Sequence, residues 1–136
     1  MIKVQLRDYI DRVIAAKHIH AEDVRDLQRN VLEDGLTSRV EAEALLALDR
    51  SLPKHESWGD ALVALMLDFA VWGSRPTGKV TAQDARWLVA ILDIGTPTET
   101  ALRIAQAILD ETDEVDEALV SFILRARHRA PQVLAA

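Results

Sequence analysis

The apolar residues of this chain recur at helical spacing along almost its whole length. In the first stretch, Ile2, Leu6, Tyr9, Val13 and Ala16 fall on one face. No segment shows the strict alternation of apolar and polar residues that is typical of a half-buried strand. The pattern predicts an all-α fold of about seven helices. They cover 1–16, 21–32, a third that follows Ser38, 57–72, a fifth that follows Thr81, 97–109, and a last one that ends at Pro131.

The stretch from Ser57 to Trp72 differs from the others because its apolar residues lie on every face. Between Ala61 and Trp72 only Asp68 is charged. A helix of this kind needs other elements around it, and it is shorter than the roughly 18 apolar residues that suggest a membrane span. We expect it to be the central and most buried helix of the fold, capped by Ser57.

Several helix starts have the spacing of a capping box, in which a hydroxyl residue is followed three positions later by an acid. Ser38 is followed in this way by Glu41, and Thr81 by Asp84. Thr96 begins a further start signal, because proline follows it at the first helical position. These positions are predicted to begin the third, fifth and sixth helices.

Short segments of the chain resemble one another. Residues 36–45 align with 79–88, and each segment follows a glycine, Gly35 or Gly78; we interpret this pair as a structural repeat. Residues 79–88 also align with 18–27, where repetition and the general similarity of good helix starts explain the match equally well. The predicted organisation is one domain over 1–136, with repeat-like helix-loop-helix units near 18–48 and 57–92 and a C-terminal helical pair over 97–130.

Composition narrows the class of protein. The 136 residues are 49% hydrophobic, which suits a single folded domain with its own core. The formal net charge of −6 disfavours nucleic acid and anionic membranes as partners. The chain has no cysteine, so disulfides and thiolate zinc sites are excluded. Because the N-terminal residues contain no apolar signal core, we expect a cytoplasmic protein.

Asp34 and Glu41 are the candidate metal ligands. The pattern from Asp34 through Gly35 to Glu41 resembles the second half of an EF-hand loop, with the glycine at position six and the glutamate at position twelve. Leu32 stands at position three, where the EF-hand requires an oxygen ligand. The alternative is that both acids serve the turn and the helix cap, so we expect at most weak calcium binding.

Two other groups carry candidate chemistry. His18 and His20, with Asp23 nearby, have residue types that bind divalent metals, although a solvated turn explains them as well. Asp68 stands among apolar neighbours, and a buried carboxyl has a raised pKa that suits a general acid. The ordinary alternative is a carboxylate at a helix edge that meets a backbone donor or an arginine.

The turns of the Asp-Gly type, each followed by a hydroxyl-x-x-acid helix start, resemble the TerB-like tellurite-resistance helical domains over about residues 20–125. That resemblance implies an all-α fold built of similar halves. The chain also resembles an uncharacterised bacterial family through EAEALLAL at 41–48, a W-x-D-x-x-V pattern at 58–63 and G-x-V with A-x-W-L at 78–88. This second resemblance implies a shared fold and no activity.

The sequence has no phosphate-binding glycine loop, nucleophile elbow or HExxH motif. We therefore predict a non-enzymatic bacterial domain that binds a partner protein through a groove between helices, with no cofactor and no catalytic residue. The first alternative is a divalent-metal-binding stress protein of the tellurite-resistance type that uses Asp34 and Glu41. The second alternative is an enzyme built around Asp68.

Overall fold

The computed structural model describes residues 2–73, 78–112 and 114–135, with side chains described as far as residue 127. The prediction of an all-α fold is confirmed, because the described residues form seven α-helices and two short π-helical segments, and the structure is 73% helical. The described exceptions are two strands of two residues each. The α-helices are α1 (Val4–Ala16), α2 (Ala21–Asp26), α3 (Arg39–Ser51), α4 (Ser57–Leu67), α5 (Ala82–Leu92), α6 (Glu99–Glu111) and α7 (Glu117–Ala135); the strands are β1 (Lys79–Val80) and β2 (Glu114–Val115).

The chain divides into two compact units, unit 1 (Met1–Phe69) and unit 2 (Ala70–Ala136). The prediction of one domain over 1–136 stays a prediction. None of the described helices combines the length and the apolar character needed to cross a membrane.

In unit 1, the loop before α2 pairs with the loop before α4 through a parallel β-bridge. Ile19 donates its N–H to the Pro53 carbonyl at 3.0 Å, and His55 donates its N–H to the Ile19 carbonyl at 2.7 Å. Helix α2 packs against α4. The largest apolar side chains of this core are at most 1% exposed: Leu6, Tyr9, Ile19, Leu27, Leu32, Leu45, Trp58, Leu62 and Met66.

In unit 2, the parallel strands β1 and β2 pair Lys79 with Glu114 and Val80 with Val115. Helices α5 and α6 both pack against α7. Side chains with no exposed surface form the centre of this unit: Ala85, Leu88, Ala105, Ile108, Leu119 and Phe122.

The two units repeat one order of elements: an extended segment, two helices, a second extended segment paired with the first, and a last helix. The same number of positions separates Ile19 from Lys54 in unit 1 and Val80 from Val115 in unit 2. Each bridge residue of unit 1 lies 61 positions before its equivalent in unit 2. Helices α2, α3 and α4 therefore correspond to α5, α6 and α7.

This order favours one of the two sequence alignments. Segments 18–27 and 79–88 both contain the bridge residue and the start of the helix that follows it. Gly35 and Gly78 share a positive φ, 82° and 78°. Gly35, however, precedes α3, whereas Gly78 precedes β1 and α5, so this pair joins elements that do not correspond in the repeat.

The predicted caps of α3 and α5 are confirmed. The side-chain oxygens of Ser38 and Thr81 each accept a hydrogen bond from the backbone N–H three positions later, at 3.3 and 3.2 Å. The start of α6 lies two residues later than predicted, because Thr98 rather than Thr96 caps it. Helix α7 continues past Pro131 to Ala135, so its predicted end is wrong; a proline removes one backbone donor and here does not end the helix.

The stretch predicted as one buried helix has two parts. Helix α4 ends at Leu67, and a π-helical segment, Asp68–Trp72, follows it. Trp72 is 47% exposed and Asp68 is exposed, so the stretch is not buried on every face. Ser57 is not its cap: the N–H groups of Ser57 and Trp58 donate to the side chain and carbonyl of His55, at 3.1 and 3.0 Å.

Candidate functional site

An open groove of about 300 Å³ lies on unit 1, between the turn that precedes α3 and the C-terminal half of α4. The first side comes from the π-helical segment Leu27–Val31 and the turn after it. The second side is the face of α4 and the first residue beyond it. The lining residues are Gln28, Leu32, Glu33, Asp34, Gly35, Ala64, Leu65 and Asp68.

The turn at the edge of the groove is built by a glycine. The π-helical segment closes with a hydrogen bond from the Leu32 N–H to the Leu27 carbonyl at 2.8 Å, and the Gly35 N–H then donates to the Leu32 carbonyl at 3.0 Å. Gly35 has a φ of 82°, which L side chains rarely adopt. A Cβ there would meet nothing within 4 Å, so the backbone angle rather than space selects glycine.

The groove is apolar at its floor and acidic at its rim. Leu32 and Leu65 are 1% and 9% exposed and form the floor. The side that α4 contributes is shallow at Ala64, because this exposed residue has only a methyl side chain. Glu33, Asp34 and Asp68 are all exposed at the rim. No residue in the described part of the chain forms an ion pair with these three carboxylates. The groove therefore suits a cationic group carried on an apolar stem.

Of the two interpretations of Asp68, a buried general acid or a carboxylate at the helix edge, the first fails because the side chain is exposed. Its side chain reaches solvent at the groove rim, because leaving a carboxylate without a partner in an apolar interior is costly. The general-acid hypothesis rested on burial of this carboxyl, and the structure removes that basis. Asp68 is part of the candidate site as a charged group instead.

Asp34 and Glu41, the predicted metal ligands, lie in different environments. Asp34 is exposed at the groove rim, whereas Glu41 is 0% exposed. The Glu41 Oε1 atom accepts hydrogen bonds from the Thr37 N–H at 2.9 Å and the Thr37 hydroxyl at 2.8 Å. The predicted return of Glu41 to the Ser38 backbone thus occurs one residue earlier, at Thr37.

Burial raises the pKa of the Glu41 carboxyl, but its hydrogen bonds outweigh this. The backbone N–H and then the hydroxyl of Thr37 lower the pKa, and the backbone and charge of Lys3 lower it further. The net pKa lies below the ordinary value, so Glu41 is ionised at neutral pH. Its second oxygen, Oε2, is buried without a hydrogen-bond partner of normal geometry. Over the residues that the structure describes, no group of three or more His, Asp and Glu side chains is placed to hold a metal ion.

His18 and His20 lie side by side, with ring centroids 4.5 Å apart. His20 closes the start of α2 with Asp23: the backbone N–H of His20 donates to Asp23 Oδ2 at 2.9 Å, and its ring Nδ1 lies 3.3 Å from the same oxygen. The Nδ1 atom of His18 is buried without a hydrogen-bond partner. A role in the turn, which is the alternative to metal binding by this pair, therefore accounts for the contacts of His20.

Sequence reasoning missed a buried polar contact that fixes the start of α4. Asp49 and Trp58 are 2% and 0% exposed, and the Trp58 indole N–H donates to Asp49 Oδ1 at 3.0 Å. The Lys54 ammonium donates to the Asp49 carbonyl at 2.7 Å and lies 3.6 Å from the same carboxylate oxygen. This contact ties α3 to the first turn of the helix that forms one groove wall. A lone Asp near the end of a helix gives no sequence signal for it.

Comparison of the chain with protein-family models, with curated proteins and with solved structures finds no match. The resemblances to the TerB-like domains and to the EF-hand loop thus stay predictions.

Proposed function

We propose that this chain is a non-enzymatic helical binding module of the bacterial cytoplasm that acts by holding part of a partner protein in the groove of unit 1. One observation carries the proposal: an open groove is bordered by three exposed carboxylates, and the described part of the chain provides no cation for them.

The groove residues favour binding over catalysis. Its polar side chains are one amide, from Gln28, and three exposed carboxylates. Catalytic carboxyl groups usually lie in an enclosed site within hydrogen-bond reach of a partner group. The carboxylates of the rim are exposed and have no ion-pair partner among the described residues.

The shape of the groove favours a protein segment over a small molecule. Small-molecule sites bury about 70–90% of the ligand surface within a concave pocket, whereas this groove is open along its rim. Grooves between helices bind the apolar face of a partner's helix or extended segment. The acidic rim adds selectivity for partners that carry positive charge, since opposite charge raises the rate of encounter and excludes acidic surfaces.

The proposal is tested by placing a photo-crosslinking amino acid at position 64 in the native cell. Ala15 is a matched control, because it is an exposed alanine on a helix of the same unit. We expect a discrete adduct from position 64 and none from position 15. The adduct should disappear when Asp68→Lys is added, and the captured protein, once purified, should bind the parent more tightly than that variant. Equal adducts at both positions, or an adduct indifferent to Asp68→Lys, contradict the proposal.

A second candidate is the divalent-metal-binding protein of the tellurite-resistance type. The observation in its favour is the ionised, buried Glu41 with one oxygen that lacks a hydrogen-bond partner. Against it, Oε1 already accepts both donors of Thr37, and Leu32 forms the floor of the groove.

Calorimetry with calcium on the metal-free protein, repeated on Glu41→Gln, separates the two candidates. Calcium binds about six to eight oxygens, so we expect binding no tighter than the millimolar range of poor sites. Micromolar binding that disappears in the variant would favour the metal-binding function instead.

A further inference from the structure

The internal repeat places a second version of the groove turn in unit 2. The turn Leu32–Gly35 follows the helical segment that ends at Val31, and the turn Asp93–Gly95, which is one residue shorter, follows α5. The residues that end these two helical segments, Leu32 and Asp93, share a ψ of 48°. Both turns end in a glycine of positive φ, 82° at Gly35 and 63° at Gly95. The side chains beside the turn of unit 2 therefore indicate which groups can lie beside the turn of unit 1.

Burial fixes which residues of α4 and α7 correspond. At a separation of 61 positions, the buried Trp58, Leu62 and Leu65 correspond to residues of α7 that are 0%, 4% and 4% exposed, namely Leu119, Ile123 and Ala126. The exposed position next to Leu65 is Ala64, and its equivalent next to Ala126 is Arg125, which is also exposed.

In unit 2 this arginine meets the turn. The Arg125 Nη2 atom lies 3.9 Å from Asp93 Oδ2, so the last helix supplies a guanidinium to the acid of the turn. In unit 1 the equivalent of Arg125 is the methyl group of Ala64. The turn there carries two acids, Glu33 and Asp34, and Asp68 adds a third. Unit 1 thus has Leu32 where unit 2 has Asp93, carries its acids one and two residues later, and has no cation from its last helix.

We propose that the groove of unit 1 binds an arginine side chain of the partner protein, which takes the place that Arg125 occupies in unit 2. This inference rests on the proposed function and names the group that the groove recognises.

The chemistry of the groove fits a guanidinium. Its planar fork of donors matches carboxylates in pairs, and the rim offers three. The apolar stem of an arginine would lie along the exposed methyl group of Ala64, as long cationic side chains do on apolar surface. A lysine brings a more strongly hydrated point charge and no fork, so it suits the same groove less well.

The test is an NMR titration of the full chain with three short acetylated and amidated alanine peptides. They carry arginine, lysine or citrulline, the neutral analogue of arginine, at the centre. We expect the arginine peptide to shift the amide signals of Gln28, Gly35 and Ala64 in a saturable way. The citrulline peptide should bind at least about tenfold more weakly, since hydrogen bonds to charged groups contribute about 1.5–3 kcal/mol. Equal binding of arginine and citrulline peptides would overturn the inference.

A variant that supplies the cation within the chain gives an independent measurement. Ala64→Arg copies unit 2, so its own guanidinium should occupy the groove and reduce binding of the arginine peptide about tenfold or more. Ala15→Arg, which adds the same charge on another helix of unit 1, is the matched control and should retain the affinity. Both positions are exposed, so each variant should keep the dispersed spectrum of the parent. Unchanged peptide binding by a folded Ala64→Arg would also overturn the inference.

The two experiments separate the inference from the function on which it rests. A partner captured at position 64, together with no preference for the arginine peptide, rejects the arginine assignment and keeps the binding function. An arginine-selective groove with no adduct at position 64 keeps the site and rejects the proposed function.

Discussion

The two units follow the same order of elements but bury different side chains. Unit 1 contains both of the buried carboxylates in the described part of the chain, Glu41 and Asp49. Helices α3 and α6 align 60 positions apart, as their capping residues Ser38 and Thr98 show, so the equivalents of the two carboxylates in unit 2 are Ala101 and Leu109. The comparison shows that this arrangement of helices does not require buried charge, because unit 2 forms it from apolar residues.

The buried carboxylates of unit 1 act on the edges of the groove. Glu41 holds the backbone and hydroxyl of Thr37, two residues beyond the Gly35 turn. Asp49 holds Trp58 in the first turn of α4. On the surface it is unit 2 that pairs its charges: Asp93 forms an ion pair with Arg125. The rim of unit 1 has no such pair among its described residues. Unit 1 thus combines buried polar contacts in its interior with exposed acids that have no ion-pair partner among the described residues at its groove.

The largest effect tests whether α4 and α7 are equivalent. Leu62 and Ile123 are 0% and 4% exposed at matching positions, so truncation of either to alanine should cost about 2–5 kcal/mol of unfolding free energy. The cost arises from lost transfer energy and from the cavity that remains. Denaturant melts measure both. A loss below about 1 kcal/mol for Ile123→Ala alone would show that α4 and α7 are not equivalent and would contradict the repeat alignment.

The next effect tests the polar anchor that unit 2 lacks. Trp58→Phe removes the indole donor from a carboxylate that is 2% exposed, which should cost about 1–3 kcal/mol. Adding Asp49→Leu, the residue type at the equivalent position of α6, should recover part of that loss because no carboxylate is then left without its donor.

Trp72→Phe is the control for this prediction, since Trp72 is 47% exposed and should change stability by no more than about 0.5 kcal/mol. A double variant that is less stable than the Trp58→Phe variant by the full cost of Asp49→Leu alone would show that the two residues act independently.

The third effect is a pH dependence confined to unit 1. The pKa of Glu41 is lowered in the folded state from its ordinary value of 4.5, so its contribution to stability is present above that value and is lost as the pH falls through the folded pKa. Glu41→Gln should lower the unfolding free energy at pH 7 by about 1–3 kcal/mol. It should also flatten the loss of stability that the parent shows on acidification below pH 4.5.

Glu43→Gln is the control for the pH experiment, because Glu43 is an exposed acid on the same helix. It should leave the acid limb of the stability curve unchanged. If the two variants have the same pH profile, Glu41 does not carry the proposed linkage.

The parts of the fold that depend on local pattern were predictable from the sequence. Helical periodicity indicated the all-α class, and the caps at Ser38 and Thr81 follow from a hydroxyl three positions before an acid. The π-helical segments and the two short strands were not predictable. They depend on contacts between distant elements, as in the bridge between Ile19 and Lys54, and two-residue strands show no alternation.

The groove was not predictable as a site, although two of its acids were singled out. Asp34 was chosen for its turn and Asp68 for its apolar neighbours, and nothing local indicates that both border one groove. Their proximity depends on the packing of α4 beside the turn. The correspondence of Ala64 with Arg125 was equally hidden, because few residues match between α4 and α7 and only the burial pattern aligns them.

The smallest expected effect on stability tests the surface difference between the units. Arg125 is 55% exposed in its ion pair with Asp93, and exposed pairs contribute about 0–1 kcal/mol, so Arg125→Ala should lower stability by less than about 1 kcal/mol. The same variant removes this guanidinium from the unit 2 turn, and we expect it to create a second, weaker site for the arginine peptide, with new amide shifts at Asp93 and Gly95. It should be weaker because that turn carries one acid where the rim of unit 1 has three. Arg127→Ala is the matched control, because Arg127 is exposed on the same helix and donates to Gln106. Shifts at the unit 2 turn in both variants, or in neither, would show that Arg125 does not occupy the equivalent of the groove.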